Sequence, residues 1–305
     1  MTTHQILALN ETKTERIRLL LATGLSRKEV AELMGVGYGF VQNVYARHFG
    51  VANPRSGLSL KFTRSFGIEI EAVGASTYEV ARAIQGKGIE CNAEGYNHHT
   101  RRHWKVVTDA SVPGGFEVVS PVLRGKNGLE QLKKVTEALR EVGARIRKNC
   151  GLHVHFGTRD FGSDVQMWKR LYRNYARIEE EIDSFMPQSR RGENNMYCRS
   201  MRVSDFESRI ENASTLREIE MAVTRRCRYF KLNSQSFWRH KTVEFRQHSG
   251  TIEYEKIANW IEFCARFIEF SKQGKEAESG FENLKKFLSS KLMDFYRNRR
   301  LQLAA

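Results

Sequence analysis

The chain has 305 residues, of which 40% are hydrophobic and 10% aromatic, enough for one large domain or for a medium and a small one. Its 50 lysines and arginines exceed its 35 aspartates and glutamates, and the formal charge of +15 favours polyanionic partners. Five scattered cysteines without a C-x-x-C pair argue against a disulfide framework or a cysteine zinc site. No signal peptide or membrane span is recognisable, so we expect a cytoplasmic protein.

The first predicted elements are helices. Residues 27–46 have the spacing of a helix-turn-helix unit, with Ala31 small at the helix crossing. Gly35 follows four residues later, where the turn requires a positive φ angle. An S-x-x-E capping box opens the first of these helices, and the amphipathic segment TERIRLLLATG precedes it. We therefore predict a small all-α helix-turn-helix domain over residues 1–50.

The second helix of this unit is the candidate reader of DNA. Its exposed face would present Tyr38, Gln42 and Asn43, with Arg47 directed toward phosphate. Glutamine and asparagine pair with adenine in the major groove, whereas two glycines in the same segment weaken the helix. A protein-docking module is the alternative interpretation. The Pro-, Gly- and Ser-containing residues 51–61 are predicted to be a linker.

Carboxylates then recur on predicted strands. Glu69 and Glu71 lie two residues apart in RSFGIEIEAVG, so they share one strand face. Two like charges on one face are destabilising unless a cation lies near them. Two short strands follow around a Pro-Gly-Gly turn, with Asp109 before the turn and Glu117 in the returning strand.

An amphipathic helix over residues 125–144 leads into the strand CGLHVHFG. His153 and His155 alternate there with apolar residues, so their rings lie on one face about 7 Å apart. Two half-buried histidines bonded to backbone are the alternative to a shared site. A helical, basic segment follows over residues 163–226, in which RRGENNMYCRSMR is predicted to be a mobile or substrate-side loop.

RYFKLNSQSFWRHKTVEFRQHSGT is predicted to form two more strands, and the chain from residue 254 to about 300 is predicted to be helical. One sheet would then present a set of polar side chains from four strands: Glu69, Glu71, Glu117, His153, His155, Glu244 and Arg246. Four converging carboxylates suit Mg²⁺ or Mn²⁺. The arginine and the second histidine suit the phosphates that such cations carry. A zinc hydrolase built from two histidines and one glutamate is the alternative.

These segments, in this order, resemble the amidoligase family, the carboxylate–amine ligases related to glutamine synthetase and glutamate–cysteine ligase. The resemblance covers about residues 62–272 and rests on GIEIE, W-x-x-x-x-D-x-S before FEVVSP, CGLHVHFG, RYFKLN and TVEFRQHSGT. It implies an α+β fold with a curved antiparallel sheet, closed into a half-barrel and flanked by helices. It also implies ATP and Mg²⁺ (or Mn²⁺) as cofactors, and an amide bond made through an acyl phosphate.

The resemblance also implies roles for individual residues. The metal ligands would be Glu69, Glu71, Glu117, His153 and Glu244. His155 and Arg246 would approach the phosphates of ATP. Asp109 is the candidate to bind or deprotonate the amine, since a carboxylate attracts an ammonium group and accepts its proton. Asn233 and Arg228 are candidates for substrate recognition.

The sequence thus predicts a helix-turn-helix domain over residues 1–50 and a ligase domain over residues 62–300. The expected substrates are a small-molecule or peptide carboxylate and an amine, with DNA as a partner of the N-terminal domain and no membrane partner. Small basic ligases of this kind often look phage-borne or mobile-element-borne. The alternatives are a zinc-dependent hydrolase using His153 and His155, or a DNA-binding regulator with an inactive ligase core.

Overall fold

The computed structural model describes residues 2–23, 25–48, 64–162 and 164–304, with the side chains of all of these except residues 46–48 and 304. The chain divides into two compact units, Met1–Ser59 with Met293–Ala305, and Leu60–Leu292. None of the helices in the described ranges is long and apolar enough to cross a membrane.

The N-terminal segment of the first unit contains four short helices in its described residues: α1 (Thr3–Leu7), α2 (Lys13–Ala22), α3 (Arg27–Met34) and α4 (Tyr38–His48). Ser26 and Glu29 form the predicted capping box at the start of α3. Gly35 ends α3 in the left-handed conformation, with φ of 59°, as its place in the turn predicts. Apolar side chains from all four helices form one core: Ile6, Ile17, Leu20, Leu21, Val30, Ala31, Val41 and Val44. Assignment of these helices as a helix-turn-helix domain stays a prediction.

The second unit is mixed α+β and is built on one sheet. Its strands are β1 (Phe66–Val73), β2 (Cys91–Ala93), β3 (Trp104–Thr108), β4 (Gly115–Val119), β5 (Leu152–Gly157), β6 (Leu232–Asn233) and β7 (Thr242–Phe245). Their order is β2-β3-β4-β1-β5-β7-β6, and every pair is antiparallel except β2 with β3. The sheet does not close on itself in the described part of the chain, so the expected closure into a half-barrel is not confirmed. The terminal strands β2 and β6 are also too short to pair with each other extensively.

Helices of the second unit flank the sheet: α5 (Thr77–Gly86), α6 (Gly125–Glu141), α7 (Val165–Ser184), α8 (Phe206–Glu211), α9 (Leu216–Thr224), α10 (Ser236–His240) and α11 (Tyr254–Lys272). The last helix, α12 (Ser290–Ala304), belongs mostly to the first unit. The apolar face of the sheet packs on aromatic side chains from α7 and α11. Phe245 of β7 lies 5.9 Å from Tyr175 and 6.3 Å from Phe267, measured between ring centroids. This packing leaves the opposite face of the sheet for the polar residues.

The segment predicted to form two more strands contains β6 and β7, but β6 has only two residues and the short helix α10, which was not predicted, separates the strands. The C-terminal part is helical as predicted, and it is divided, because Gly274 and Gly280 have φ of 81° and 100° and separate α11 from α12. The helices α1 and α5 and the strand β2 were not predicted.

Candidate active site

Strand register places the predicted carboxylates and histidines on one face of the sheet. Glu69 on β1 pairs directly with His153 on β5, and Glu71 on β1 pairs directly with Glu117 on β4. His153 Nδ1 lies 3.1 Å from Glu69 Oε2, and its Nε2 lies 3.8 Å from Glu71 Oε1. The four central strands β4, β1, β5 and β7 therefore bring these side chains into one cluster, as the spacing of two predicts.

The second half of the cluster lies on β5, β7 and β6. His155 pairs with Glu244, and Glu244 pairs with Asn233 on the next strand. The Glu244 carboxylate is held between two donors: Asn233 Nδ2 donates to Oε2 at 2.7 Å, and the Arg246 guanidinium pairs with Oε1. Asn233 was predicted to recognise substrate. In the structure its side chain donates to Glu244 and so orients that carboxylate.

Three overlapping groups of side chains have the geometry to bind cations. Their ligand atoms lie within 4.8 Å of one another, and the groups are Glu69 with His155 and Glu244, Glu69 with Glu117 and His153, and Glu71 with Asp109 and Glu117. All five predicted metal ligands belong to these groups. His153 and His155 do not share a group among the described residues. The zinc hydrolase alternative, with both histidines and one glutamate on one ion, stays a prediction.

The three groups also contain two residues that were not predicted to bind metal. His155, predicted for phosphate, and Asp109, predicted for the amine, each have a ligand atom within reach of two carboxylates. The division of labour between His153 and His155 therefore stays a prediction.

Crowding of acids changes their protonation. Burial, together with the charges of Glu69, Asp109 and Glu71, raises the pKa of Glu117 well above its usual value. Burial alone would also raise the pKa of Glu69, but the neighbouring His155 and His153 lower it well below the usual range. Opposite shifts in adjacent carboxyls are typical of functional sites.

His155 is oriented by a contact on one side of its ring. Its Nδ1 lies 3.3 Å from Thr242 Oγ1, and its Nε2 is buried 3.4 Å from Glu69 Oε1 without a well-formed hydrogen bond. Burial would lower the pKa of His155, but the charges of Glu244 and Glu69 raise it. A buried ring nitrogen aimed at two carboxylates, with its other nitrogen anchored, fits a divalent cation between them.

Two cavities adjoin at this cluster, with volumes of about 960 Å³ and about 740 Å³. Six residues line both of them: Glu69, His98, Glu117, His155, Arg239 and His240. The second cavity alone contains the remaining site residues: Glu71, Asp109, His153, Arg228, Asn233, Glu244 and Arg246. Arg228 lies there over the Tyr229 ring, 5.1 Å from its centroid.

Several residues of the junction were not predicted. His98 belongs to the segment NHHTRRHW, whose histidines and arginines between two strands were the available signal. The buried Lys105 fixes this segment, because its ammonium donates to the carbonyl oxygens of Asn97 and His99, each at 3.0 Å. Arg239 and His240 are delivered by α10, a helix that the strand prediction missed.

The N-terminal candidates for DNA recognition lie in the other unit. Tyr38 and Asn43 are exposed on α4, and Gln42 is half-buried. Gln42 Oε1 accepts a hydrogen bond of 2.7 Å from Arg27 Nη1, so pairing with adenine would require this contact to break. The side chain of Arg47 lies outside the described residues. DNA binding stays a prediction.

No curated protein sequence matches this chain. The model of the family described as "Putative amidoligase enzyme" matches residues 62–268, more than half of the chain, and that range contains every residue of the cluster and of the junction. The predicted N-terminal domain lies outside the match. Ligation by this family implies nucleotide and metal use in general, and the grouped acids and histidines offer ligands for a metal. The chain therefore belongs to this amidoligase family.

Proposed function

We propose that the protein is an ATP- and Mg²⁺-dependent ligase that joins a carboxylate to an amine through an acyl phosphate. One observation carries the proposal: four glutamates and two histidines cluster on one sheet face where two cavities adjoin. A reaction between two anions, a carboxylate and a nucleotide phosphate, needs cations at their meeting point. Separate cavities on the two sides allow both anions to reach that point.

The first cavity is suited to the nucleotide. Four acidic side chains line it. The basic side chains that line it are seven: Arg64, Lys105, Arg124, Arg159, Arg239, Lys241 and Lys272. His155 lines this cavity, whereas His153 lines only the second. This difference supports the prediction that His155 approaches phosphate and His153 binds metal.

The carboxylate cluster would hold the metal ions. Glu69, Glu71, Glu117 and Glu244 supply oxygen ligands of the kind that Mg²⁺ and Mn²⁺ prefer. A bound divalent cation would neutralise the repulsion between the two reacting anions. Arg246 and Asn233 hold Glu244 in place, and Thr242 holds His155. These side chains are therefore oriented before a metal ion or a substrate binds.

The second cavity would receive the acid and the amine. Asp109 lies there, and its Oδ1 accepts a hydrogen bond of 2.7 Å from the Ser111 backbone N–H, which fixes the carboxylate. We propose that Asp109 attracts the ammonium form of the amine and accepts its proton before attack. The loop from Asn194 to Tyr197 borders the same cavity and would help to exclude water from a reactive acyl phosphate.

The proposal is tested by release of ADP from ATP in the presence of Mg²⁺ and a panel of acids and amines. We expect Glu69→Gln and Glu244→Gln to lower this release at least about 100-fold with the fold intact, because each removes a ligand charge beside phosphate. Glu130→Gln, an exposed carboxylate on α6, is the matched control. Near-normal ADP release in either cluster variant would contradict the proposal. Activity restored by zinc alone without ATP would favour the hydrolase.

A further inference from the structure

Arg190 is a buried arginine at the edge of the second cavity that the proposed reaction does not yet use. It ends the short 3₁₀ helix Gln188–Arg190, which follows α7, and only 3% of its surface is exposed. It nevertheless lines the second cavity. Its neighbours along that cavity wall include Arg147, Lys148 and Asn149.

Among the described residues, the hydrogen-bond partners of the Arg190 guanidinium are carbonyl oxygens and not carboxylates. Its Nη2 donates to the carbonyl oxygens of Cys150 at 2.6 Å and Asn149 at 3.4 Å, and its buried Nε has no hydrogen-bond partner. No carboxylate of the described residues lies within ion-pair distance of it. Burying a charge without a counter-ion is costly, and carbonyl contacts compensate only part of that cost. An anionic ligand would supply the rest.

Arg190 approaches the metal-ligand residues at Gly151. A side chain at Gly151 would begin 3.2 Å from Arg190 Nη2, 3.4 Å from Glu71 Oε2 and 2.9 Å from His153 Nε2. Arg190 therefore lies beside Glu71 and His153, and a glycine at position 151 avoids the clash that any side chain would make there. Arg190 lines only the second cavity, which is the one proposed for the acid substrate, and not the first, which is proposed for the nucleotide.

We propose that Arg190 binds an anionic group of the acid substrate, separate from the carboxylate that is ligated. The inference rests on the proposed function, which places the reacting carboxylate at the junction of the two cavities. Arg190, like Arg147 and Lys148, lines only the second cavity and is not among the residues that both cavities share. The preferred acids therefore carry a second anion, a carboxylate or a phosphate, which the planar guanidinium can bind through two parallel hydrogen bonds.

Calorimetric titration of the full chain, with Mg²⁺ and without nucleotide, tests the inference. The probes are succinate, glutarate, adipate and 3-phosphonopropionate, each compared with the monoanion butyrate. We expect at least one dianion to bind wild type at least about tenfold more tightly than butyrate, the effect of one charge-assisted contact. A dicarboxylate or the phosphonate as the tightest probe identifies the second group.

Arg190→Met should reduce this preference to less than about twofold, because it keeps the side-chain length and removes the charge. The matched control is Arg191→Met, since Arg191 lines neither cavity and donates from Nε to the Met186 carbonyl at 2.7 Å. The control should keep the wild-type preference. If Arg190→Met fails to fold, Arg190→Lys is used instead. Its preference for the dianion over butyrate should be weaker than that of wild type but not absent, because lysine keeps the charge and lacks the planar guanidinium.

Equal preference for dianions in wild type and both Arg190 variants, or no preference in wild type, would overturn the inference. These results are distinct from failure of the proposed function. Dianion binding through Arg190 without any ATP-dependent ligation would leave the inference standing and refute the ligase. ATP-dependent ligation without a role for Arg190 in acid binding would support the ligase and refute the inference about Arg190.

Discussion

Glu71 on β1 and Glu117 on β4 face each other directly across two antiparallel strands, and Asp109 lies within ligand distance of both. Like charges at directly paired positions destabilise a sheet. The site therefore stores repulsion in the absence of a cation, and burial together with the surrounding acids raises the pKa of Glu117 well above its usual value. A cation that binds here relieves the repulsion and stabilises the fold.

The first prediction concerns this pair. Glu117→Gln should raise the melting temperature of the metal-free protein, because it removes a repulsion of about 0.2–1 kcal/mol per pair. Mg²⁺ or Mn²⁺ should raise the melting temperature of wild type, and the increment should shrink in the variant. Calorimetric melting with and without each cation checks both effects. Identical metal increments in wild type and variant would contradict the assignment.

The second prediction separates the two histidines. His153 contacts Glu69 and lines only the second cavity, whereas His155 lines both cavities. We expect His153→Ala to weaken metal binding at least about tenfold, and His155→Ala mainly to raise the Michaelis constant for ATP. Metal titration and steady-state kinetics on both variants distinguish the roles. Equal losses of metal affinity would remove the distinction, and no effect from either would mean that both histidines are structural.

The third prediction concerns Thr242, whose hydroxyl lies 3.3 Å from His155 Nδ1. Thr242→Val keeps the shape of the side chain and loses this contact, so we expect activity to fall about 10- to 100-fold with little change in melting temperature. Thr242→Ser keeps the hydroxyl and should restore most of the activity. A valine variant as active as wild type would show that the ring is held by packing alone.

The fourth prediction concerns pH and the segment that carries His98. A hydrogen bond from Arg101, with others from His103 and Asn97, lowers the pKa of Glu94 from 4.5 to about 2 despite partial burial. Because the folded-state pKa lies below the unfolded one, Glu94 stabilises the fold above pH 4.5, and this contribution is lost as the pH falls toward 2.

Glu94→Gln should therefore cost about 1 kcal/mol at neutral pH, the amount expected for a partly exposed ion pair. The difference in unfolding free energy between wild type and variant should vanish toward pH 2. Denaturant unfolding across this pH range measures it. Glu90→Gln is the control, since Glu90 is exposed and its Oε1 lies 3.9 Å from His103 Nδ1. A pH-independent difference would contradict the linkage.

The alternation of strand residues was the part of the site that sequence could predict. A period of two puts Glu69 and Glu71 on one face whatever the neighbouring strands are, and the same holds for His153 and His155. The pairing of Glu71 with Glu117 could not be predicted, because register depends on which strands become neighbours. The strand order β4-β1-β5-β7 is a tertiary property of this kind.

Residues outside regular strands were harder to predict. Arg190 reaches the site from the 3₁₀ helix Gln188–Arg190 after α7, and its burial without a carboxylate partner among the described residues is visible only in three dimensions. The helix α10 interrupts a run of strand-like residues, and it delivers Arg239 and His240 to the junction of the cavities. Tertiary packing overrides local propensity in such short segments.

The central claim is that the site activates a carboxylate by phosphoryl transfer before an amine attacks it. Isotope transfer tests it most directly: an acid found to support amine-dependent ADP release is labelled with ¹⁸O in its carboxylate, and the phosphate released from ATP is analysed by mass spectrometry. An acyl phosphate requires one labelled oxygen to move from the acid to phosphate in each turnover. We therefore expect labelled phosphate in proportion to the amide formed. Amide formation with unlabelled phosphate would contradict the claim.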